Sequence, residues 1–253
     1  MNSWILLLAA TTAGSLISLA GGVYLLYGKW GIAKLQRFAV PFAAGALLAA
    51  AFLDVLPEAL HEGETNHILL VTLIGFLFFF VLERSLSWFH HHHEEPGEHG
   101  HPKRNVVLII IGNTLHNFLD GLAIGASFLV NPVTGIVTAI AVAAHEIPRE
   151  LGDFGLMLSK DMKPRNVLWV NFVSAVATVV GAVLVFGFGD SLPVPESSLL
   201  AITAGFFIYI AASDIVPTIH AEPKRKMANI QTAVLIFGVI FVAVATAWAN
   251  MLV

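Results

Sequence analysis

Long apolar stretches alternate with short polar connections along the whole chain. A helix that crosses the hydrocarbon core of a bilayer needs about 20 mostly apolar residues. Eight stretches have this length and character, and they span residues 3–27, 36–60, 67–89, 105–130, 133–158, 166–188, 198–220 and 229–251. Turn-forming pairs such as Asn131-Pro132 and Lys163-Pro164 separate several of them. The pattern therefore predicts an all-α integral membrane protein with eight transmembrane helices, which form a single transmembrane domain over residues 1–253.

The charge of the connections predicts the orientation of these helices. Cytoplasmic loops of membrane proteins carry an excess of Lys and Arg. The first, third, fifth and seventh connections and their flanks hold the basic residues Lys29, Lys34, Arg37, Arg84, Lys103, Arg104, Lys160, Lys163, Arg165, Lys224, Arg225 and Lys226. The second, fourth and sixth connections hold none. The odd-numbered loops are therefore predicted to be cytoplasmic, and both termini are predicted to lie outside.

An internal repeat relates the second and seventh predicted helices. At a constant offset of 160 positions, the residues Ala44, Gly45, Asp54, Pro57 and Glu62 recur as Ala204, Gly205, Asp214, Pro217 and Glu222. Four predicted helices lie between the two segments, so the segments cross the membrane in opposite directions. This pattern predicts inverted repeats of helices 1–3 and 6–8 around helices 4 and 5.

Composition narrows the possible functions. Apolar residues make up 57% of the chain and charged residues only 12%, too few to cover the surface of a soluble domain of this length. The net charge of −4 argues against a nucleic-acid partner. The chain has no cysteine, so a metal here would need His, Asp, Glu, Asn or backbone oxygen ligands. The 11 histidines are many for so apolar a chain.

Polar and charged residues interrupt the fourth and fifth predicted helices. They are Asn113, His116, Asn117 and Asp120 in the fourth, and His145, Glu146, Arg149, Glu150 and Asp153 in the fifth. Each ionisable group at mid-bilayer costs about 2.5–3.5 kcal/mol on insertion scales, so such groups persist where they pair, face a cavity or bind something. His116 and His145 each lie roughly 17–18 Å along their helices, near the middle of the hydrocarbon core.

Helical spacing determines which of these side chains can cooperate. His116 and Asp120 are four residues apart and share one face, as do Glu146 and Glu150. Imidazoles and carboxylates from two such faces form a nitrogen and oxygen site that suits Zn²⁺, Fe²⁺, Mn²⁺, Co²⁺ or Ni²⁺ better than Ca²⁺ or Mg²⁺. The alternative is a buried hydrogen-bonded network that only holds the two helices together, with Arg149 in an internal ion pair.

Acidic residues and prolines flank this central cluster. Asp54 and Glu58 lie on the outer half of the second helix, and Asp214 and His220 lie on the inner half of the seventh. They are candidates for an ion pathway, or for local pairing and capping near helix ends. Pro148, Pro57 and Pro217 cannot donate a backbone hydrogen bond, which leaves the carbonyls of Ala144, Leu53 and Ser213 without their usual partners.

Two motifs resemble those of a known family. The fourth-helix segment His116-Asn117-Phe118-Leu119-Asp120-Gly121 and the fifth-helix segment His145-Glu146-Ile147-Pro148-Arg149-Glu150-Leu151-Gly152-Asp153 resemble signatures of the ZIP family of divalent-metal transporters. The second resembles that of the subgroup with histidine-rich loops, His-Glu-x-Pro-His-Glu-x-Gly-Asp. The resemblance covers the whole chain.

The resemblance implies a multi-pass transporter of the plasma or inner membrane. Its implied cargo is zinc, or Fe²⁺, Mn²⁺, Cd²⁺, Co²⁺ or Ni²⁺, which it carries toward the cytoplasm. It also implies a homodimer, and movement of helices 1, 4, 5 and 6 against the others. By motif position the ligand candidates are His116, Asn117, Asp120, His145 and Glu146, with Glu150, Asn113 and Asp153 beside them. Arg149 stands where the motif has His. A guanidinium has no lone pair to give a metal, so we expect one ion here, with Arg149 replacing a second.

The loop between the third and fourth helices, residues 90–104, is rich in histidine and is predicted to be cytoplasmic. It contains His90 to His93, Glu94, Glu95, Glu98, His99 and His101. It is either a solvated linker or a weak metal-binding segment.

Two other classes of function fit the same residues. One is an intramembrane zinc-dependent hydrolase, in which a metal activates water. It lacks the His-Glu-x-x-His motif because Arg149 takes the fifth position. The other is a proton-conducting or sensory membrane protein. The resemblance favours a transporter over an enzyme.

Overall fold

The computed structural model describes residues 2–27, 32–91, 102–159, 162–191 and 193–251, so residues 92–101 of the histidine-rich loop lie outside it. Its described residues form eight long helical stretches, labelled α1 to α8. Six are unbroken: α1 (Ser3–Tyr27), α3 (Thr65–His91), α4 (Pro102–Val130), α5 (Pro132–Ser159), α6 (Pro164–Phe188) and α8 (Arg225–Asn250). The other two contain a π-helical turn: α2 joins Ile32–Ala50, Ala51–Val55 and Leu56–Glu62, and α7 joins Glu196–Tyr209, Ile210–Ile215 and Val216–His220. A 3₁₀ turn at Gly189–Ser191 follows α6.

Six of the described stretches contain a segment long and apolar enough to cross a bilayer. They are α1, α2, α3, α6, α7 and α8. The two helices with the polar clusters, α4 and α5, are not among them, although α5 has a shorter apolar part at Pro132–Ile147. The protein is therefore a multi-pass helical membrane protein, while the count of eight crossings and the outward termini remain predictions.

Large apolar side chains face outward on several helices. On α3, Leu70, Phe78 and Val81 are exposed, and on α8 Phe237 and Val244 are exposed. Such continuous apolar faces are a liability in water but match a hydrocarbon solvent. Polar side chains instead point inward, where Asn113, Asp120, Glu146 and Glu150 are buried.

The two repeat segments pack in matching ways. A Cβ atom added to Gly45 of α2 would lie 2.0 Å from the carbonyl oxygen of Leu235 in α8. A Cβ added to Gly205 of α7 would lie 2.1 Å from the carbonyl oxygen of Thr72 in α3. Glycines offset by 160 positions thus let α2 approach α8 and α7 approach α3. In an inverted repeat of helices 1–3 and 6–8, α2 corresponds to α7 and α8 corresponds to α3, so these two contacts are equivalent.

The π-helical turns also occupy equivalent repeat positions. The N–H of Leu56 bonds to the carbonyl of Ala51, and the N–H of Val216 bonds to the carbonyl of Ala211, both five residues back. The next residues are Pro57 and Pro217, within the first turn of the following α-helical segment, where a missing N–H is tolerated. The sequence indicated a backbone disturbance at these prolines, and the structure places it in the turn before them.

Close contact between α4 and α6 fixes the position of the polar cluster. Gly121 and Gly125 are one turn apart on α4, and Cβ atoms there would lie 2.0 Å from the Thr178 carbonyl oxygen and 2.5 Å from that of Ala182. Small residues at this spacing let helix backbones approach closely in membranes. His116 and Asp120 therefore lie on a helix whose position is fixed by its close packing against α6.

Candidate metal centre

Four side chains from α4 and α5 converge on one small space. His116, Asp120, His145 and Glu146 each offer one ligand atom, and these four atoms lie within 4.8 Å of one another. Asp120 Oδ2 is 3.4 Å from His145 Nε2 and 3.7 Å from His116 Nε2. The two Nε2 atoms are 3.4 Å apart. Two imidazole nitrogens and two carboxylate oxygens form a donor set that zinc and neighbouring transition metals accept.

The helices bring these residues together through their spacing. His116 and Asp120 are one turn apart on α4, and the adjacent residues His145 and Glu146 face them from α5. The His145 Nδ1 atom lies 3.3 Å from the carbonyl oxygen of Ala141. A neutral imidazole that donates from Nδ1 to this carbonyl presents the lone pair of Nε2 toward Asp120. In that tautomer, Nε2 is the ring nitrogen able to bind a metal.

The centre of the cluster is shielded from solvent. Asp120 has no exposed surface, and His145 is 2% exposed. Neither carboxylate oxygen of Asp120 has a hydrogen-bond partner among the described residues. A buried carboxylate without such partners is costly unless a cation compensates it. The cluster is therefore compatible with a cation site as well as with an ion pair between Asp120 and His145, which lie 3.4 Å apart.

Arg149 fills the space one turn further along α5. Its guanidinium donates to Asn117 Oδ1 at 2.6 Å, to Glu146 Oε2 at 3.0 Å and to Asp153 Oδ2 at 3.4 Å. It also makes short contacts with Asn113 Oδ1 and Glu146 Oε1. Both Glu146 oxygens thus accept hydrogen bonds from the Arg149 guanidinium. Two N–H groups of a guanidinium match the two oxygens of a carboxylate in geometry.

The predicted ligands therefore divide into three groups. His116, Asp120, His145 and Glu146 form the four-atom cluster. Asn113, Asn117 and Asp153 surround the Arg149 guanidinium. Glu150 is outside both groups. It is buried, and its two oxygens have no hydrogen-bond partner among the described residues.

Among the described side chains, none of the predicted pathway residues belongs to the four-atom cluster. Asp54 is buried in the π turn of α2, and its Oδ2 lacks a partner in the described part of the chain. Glu58, one turn later, accepts a 2.8 Å hydrogen bond from Asn131 Nδ2. The backbone of Asp214 lies in the π turn of α7, and its side chain is outside the description. His220 is exposed at the end of α7.

Several residues around the site were not predicted from the sequence. Asn171 of α6 is fully buried and accepts from Asn113 Nδ2 at 3.3 Å, and the hydroxyls of Ser174 and Thr114 are 2.9 Å apart. A lone Asn inside an apolar helix was the available signal for Asn171. The rings of Phe79 and Phe206, from α3 and α7, pack against His116 with centroids 5.8 and 6.0 Å away. Aromatic residues are common in membrane helices, so nothing in the sequence marked these two.

Glu64, in the short connection between α2 and α3, has a structural role separate from the cluster. Glu64 Oε2 accepts a 2.7 Å hydrogen bond from the backbone N–H of His67 in the first turn of α3. This backbone hydrogen bond lowers the pKa of the exposed Glu64 carboxyl group below its ordinary value. Glu64 thus caps α3 in its ionised form.

Comparisons with known proteins agree with the two motifs. Residues 1–107 and 103–246 match the family model described as ZIP zinc transporter. Zinc transporter foi of Drosophila melanogaster is 41% identical over 117 residues, 46% of this chain and 16% of that protein. Metal cation symporter ZIP8 of Rattus norvegicus is 38% identical over 125 residues, 49% of this chain and 27% of that protein. Zinc transporter ZIP4 of Homo sapiens is 39% identical over 110 residues, 44% of this chain and 17% of that protein.

The chain thus spans only about a quarter or less of the length of these relatives, which are all named as transporters or symporters rather than enzymes. The hydrolase alternative gains no support from them. The family model, in contrast, accounts for nearly the whole chain, including both polar helices. The chain belongs to the ZIP zinc transporter family.

Proposed function

We propose that this protein carries divalent transition-metal ions, zinc first among them, across a cell membrane toward the cytoplasm. The ion passes through a mid-membrane site on α4 and α5. The convergence of four ligand atoms within 4.8 Å, in a member of this family, is the observation that carries the proposal. The proposal includes eight membrane crossings with both termini outside, and assembly as a homodimer.

The site takes one ion at a time in this proposal. With both imidazoles neutral, Asp120, Glu146 and Asp153 supply three negative charges and Arg149 supplies one positive charge. The remaining charge of −2 balances a single divalent ion. A second ion beside the first would meet the Arg149 guanidinium, which repels cations and cannot act as a ligand.

Partial exposure on one side of the site suggests the direction in which the ion leaves. The side chains of Arg149 and Asp153 are 21% and 22% exposed, whereas Val137 and Ala141, earlier on α5, are buried. In the predicted topology the later part of α5 faces the cytoplasm. The proposed route therefore runs from Asp54 and Glu58 on the outer side, through the cluster, and out past Asp153. By the predicted topology alone, we assign Asp214 and His220 of α7 and the histidine-rich loop to its cytoplasmic end.

Uptake of radioactive zinc into proteoliposomes tests the transport proposal. The purified chain should give saturable uptake, and His116→Ala and Asp120→Ala should each reduce it at least about tenfold, since a lost ligand weakens both binding and passage of the ion. His61→Ala is the matched control, because His61 is 82% exposed and far from the cluster in the chain. Uptake by the wild type no faster than by empty liposomes would defeat the proposal, as would normal uptake by His116→Ala.

Calorimetric titration with Cd²⁺ tests the single-ion stoichiometry. The wild type should bind one ion with high affinity. Arg149→His restores the residue of the family motif, so it should bind a second ion close to the first. Two strong sites in the wild type, or one in Arg149→His, would contradict the role assigned to Arg149.

A further inference from the structure

A small cavity adjoins the metal centre on the side of α1. It lies among α1, α4, α5 and α6, and Glu146 and Glu150 both line it. Its central volume of about 10 Å³ is room for one water-sized particle. Thr11, Ser15 and Thr178 supply hydroxyl groups to the same lining. Because Glu146 lines this cavity and also belongs to the metal cluster, the two spaces are neighbours.

Glu150 faces this cavity as an uncompensated buried acid. Its side chain is 1% exposed, and neither carboxylate oxygen has a hydrogen-bond partner among the described residues. Arg149 precedes it in the chain but donates to Asn113, Asn117, Glu146 and Asp153 instead. Ser18 of α1 lies beside Glu150, and its buried hydroxyl likewise has no partner of ordinary hydrogen-bond geometry in the described chain. A charge in this position requires a cation.

The donor atoms of the cavity are all oxygens. The Thr11 hydroxyl donates to the Leu7 carbonyl at 2.7 Å, so its oxygen lone pairs remain free to accept. Together with the other hydroxyls and the Glu150 carboxylate, it forms a hard donor set without imidazole. Oxygen-only sets favour hard ions, whereas the adjoining histidine cluster favours transition metals.

Charge and size narrow the choice of ion further. Glu146 is neutralised by its ion pair with Arg149, which leaves Glu150 as the one carboxyl group of the cavity, among the described residues, whose ionised form would need a bound cation. One negative charge matches a monovalent ion. A space for one water-sized particle admits a small dehydrated ion and excludes organic cations. We infer that Glu150, with hydroxyls of α1 and α6, binds a sodium ion in a site separate from the metal centre.

Direct binding of ²²Na⁺ tests this inference without reference to zinc transport. The purified full chain, stripped of transition metals by a chelator and held in nanodiscs at mildly alkaline pH, where a buried carboxyl group can ionise, is titrated with ²²Na⁺. We expect saturable binding of about one ion per chain, displaced by unlabelled Na⁺ and not by choline. Glu150→Gln should reduce binding to background, and Thr11→Val, which removes a lining hydroxyl, should weaken it several-fold.

The matched control is Glu83→Gln on α3, which removes a carboxylate whose Oε2 is also buried without a partner among the described residues but which does not line the cavity. It should retain ²²Na⁺ binding. The inference is overturned if the wild type shows no saturable binding. It is also overturned if Glu150→Gln binds as well as the wild type, or if Glu83→Gln loses binding equally. If Glu150→Gln does not fold, Thr11→Val still tests the inference because it removes only one lining hydroxyl, and unchanged binding by that variant would then overturn it.

Discussion

Arg149 is the residue in which this chain departs from its family motif, and its contacts make the departure testable. It bonds to side chains on both α4 and α5. Removing one partner of a buried ion pair typically costs about 3–5 kcal/mol, because the other charge is left uncompensated. Arg149→Gln should therefore lower the free energy of unfolding of the metal-free protein by an amount near the low end of this range, since Arg149 is partly exposed.

Unfolding in detergent, followed with and without Cd²⁺, measures this effect. Excess Cd²⁺ should stabilise Arg149→Gln more than the wild type, because a second divalent ion can replace the lost charge. Arg165→Gln is the control, since Arg165 is exposed near the start of α6. Equal stability of Arg149→Gln and the wild type would mean that the Glu146 and Asp153 contacts contribute little.

Asn131 joins the C-terminal end of α2 to the start of α5 through both ends of its amide. Its Oδ1 accepts from the Thr134 backbone N–H at 2.8 Å, and its Nδ2 donates to Glu58. Asn131→Asp keeps the helix cap but sets two carboxylates against each other. We expect a loss of about 1–3 kcal/mol in the free energy of unfolding.

The double variant Asn131→Asp with Glu58→Gln tests whether this contact is the cause. The side-chain amide introduced at position 58 can donate to the carboxylate introduced at position 131, so much of the lost stability should return. If the double variant is no more stable than Asn131→Asp alone, the contact with Glu58 is not what holds the two segments together.

The four cluster residues could be predicted from the sequence. Which of the neighbouring polar residues would lie outside the cluster could not. One-turn spacing placed His116 with Asp120, and equal depth placed them opposite His145. The same spacing placed Glu150 on one face with Glu146, and both line the cavity beside α1, but only Glu146 also belongs to the four-atom cluster. Which helix covers each part of α5 depends on tertiary packing, and periodicity does not contain that information.

At the scale of the helices, α4 offers a matched pair of glycines. A Cβ at Gly121 would lie 2.0 Å from the Thr178 carbonyl oxygen, whereas a Cβ at Gly112 would have no atom within 4 Å. Gly121→Ala should force α4 and α6 apart and cost about 1–3 kcal/mol in the free energy of unfolding. Gly112→Ala should be neutral or slightly stabilising, because Ala favours helix.

Measurement of zinc binding alongside stability makes this test informative about the site. Since α6 supports α4 behind His116 and Asp120, Gly121→Ala should also weaken zinc binding, and Gly112→Ala should not. Similar behaviour of the two variants would show that the close approach of α4 and α6 does not position the ligands.

The π turns show what sequence reasoning can and cannot predict about an element. Pro57 and Pro217 signalled a local change in backbone bonding within α2 and α7. The response could have been a kink, a break or a wider turn, and the structure has a π turn before each proline. The shared Asp-x-x-Pro spacing explains why both helices respond alike. The choice among the responses depends on packing against neighbouring helices.

At the scale of the whole molecule, the repeat predicted from five matched residues is reflected in helix pairing. Gly45 faces α8 and Gly205 faces α3. The polar helices α4 and α5 fall between the two repeat units in the chain and carry the cluster. Six of the described stretches qualify as membrane spans by length and composition, and α4 and α5 are not among them. Their ionisable residues, which weaken the hydropathy signal, are the same ones that indicate function.

The absence of cysteine makes the predicted topology directly measurable, because any single introduced cysteine is the only thiol in the chain. Glu64→Cys and Ser191→Cys lie in the second and sixth connections, which lack basic residues. Met162→Cys and Glu222→Cys lie in the basic fifth and seventh connections. With a membrane-impermeant maleimide, the first pair should react in intact cells, and the second pair only after the membrane is opened. Reaction of Met162→Cys in intact cells would invert the orientation assigned from Lys and Arg. The proposed exit past Asp153 would then become the entrance, and the direction of transport would have to be assigned anew.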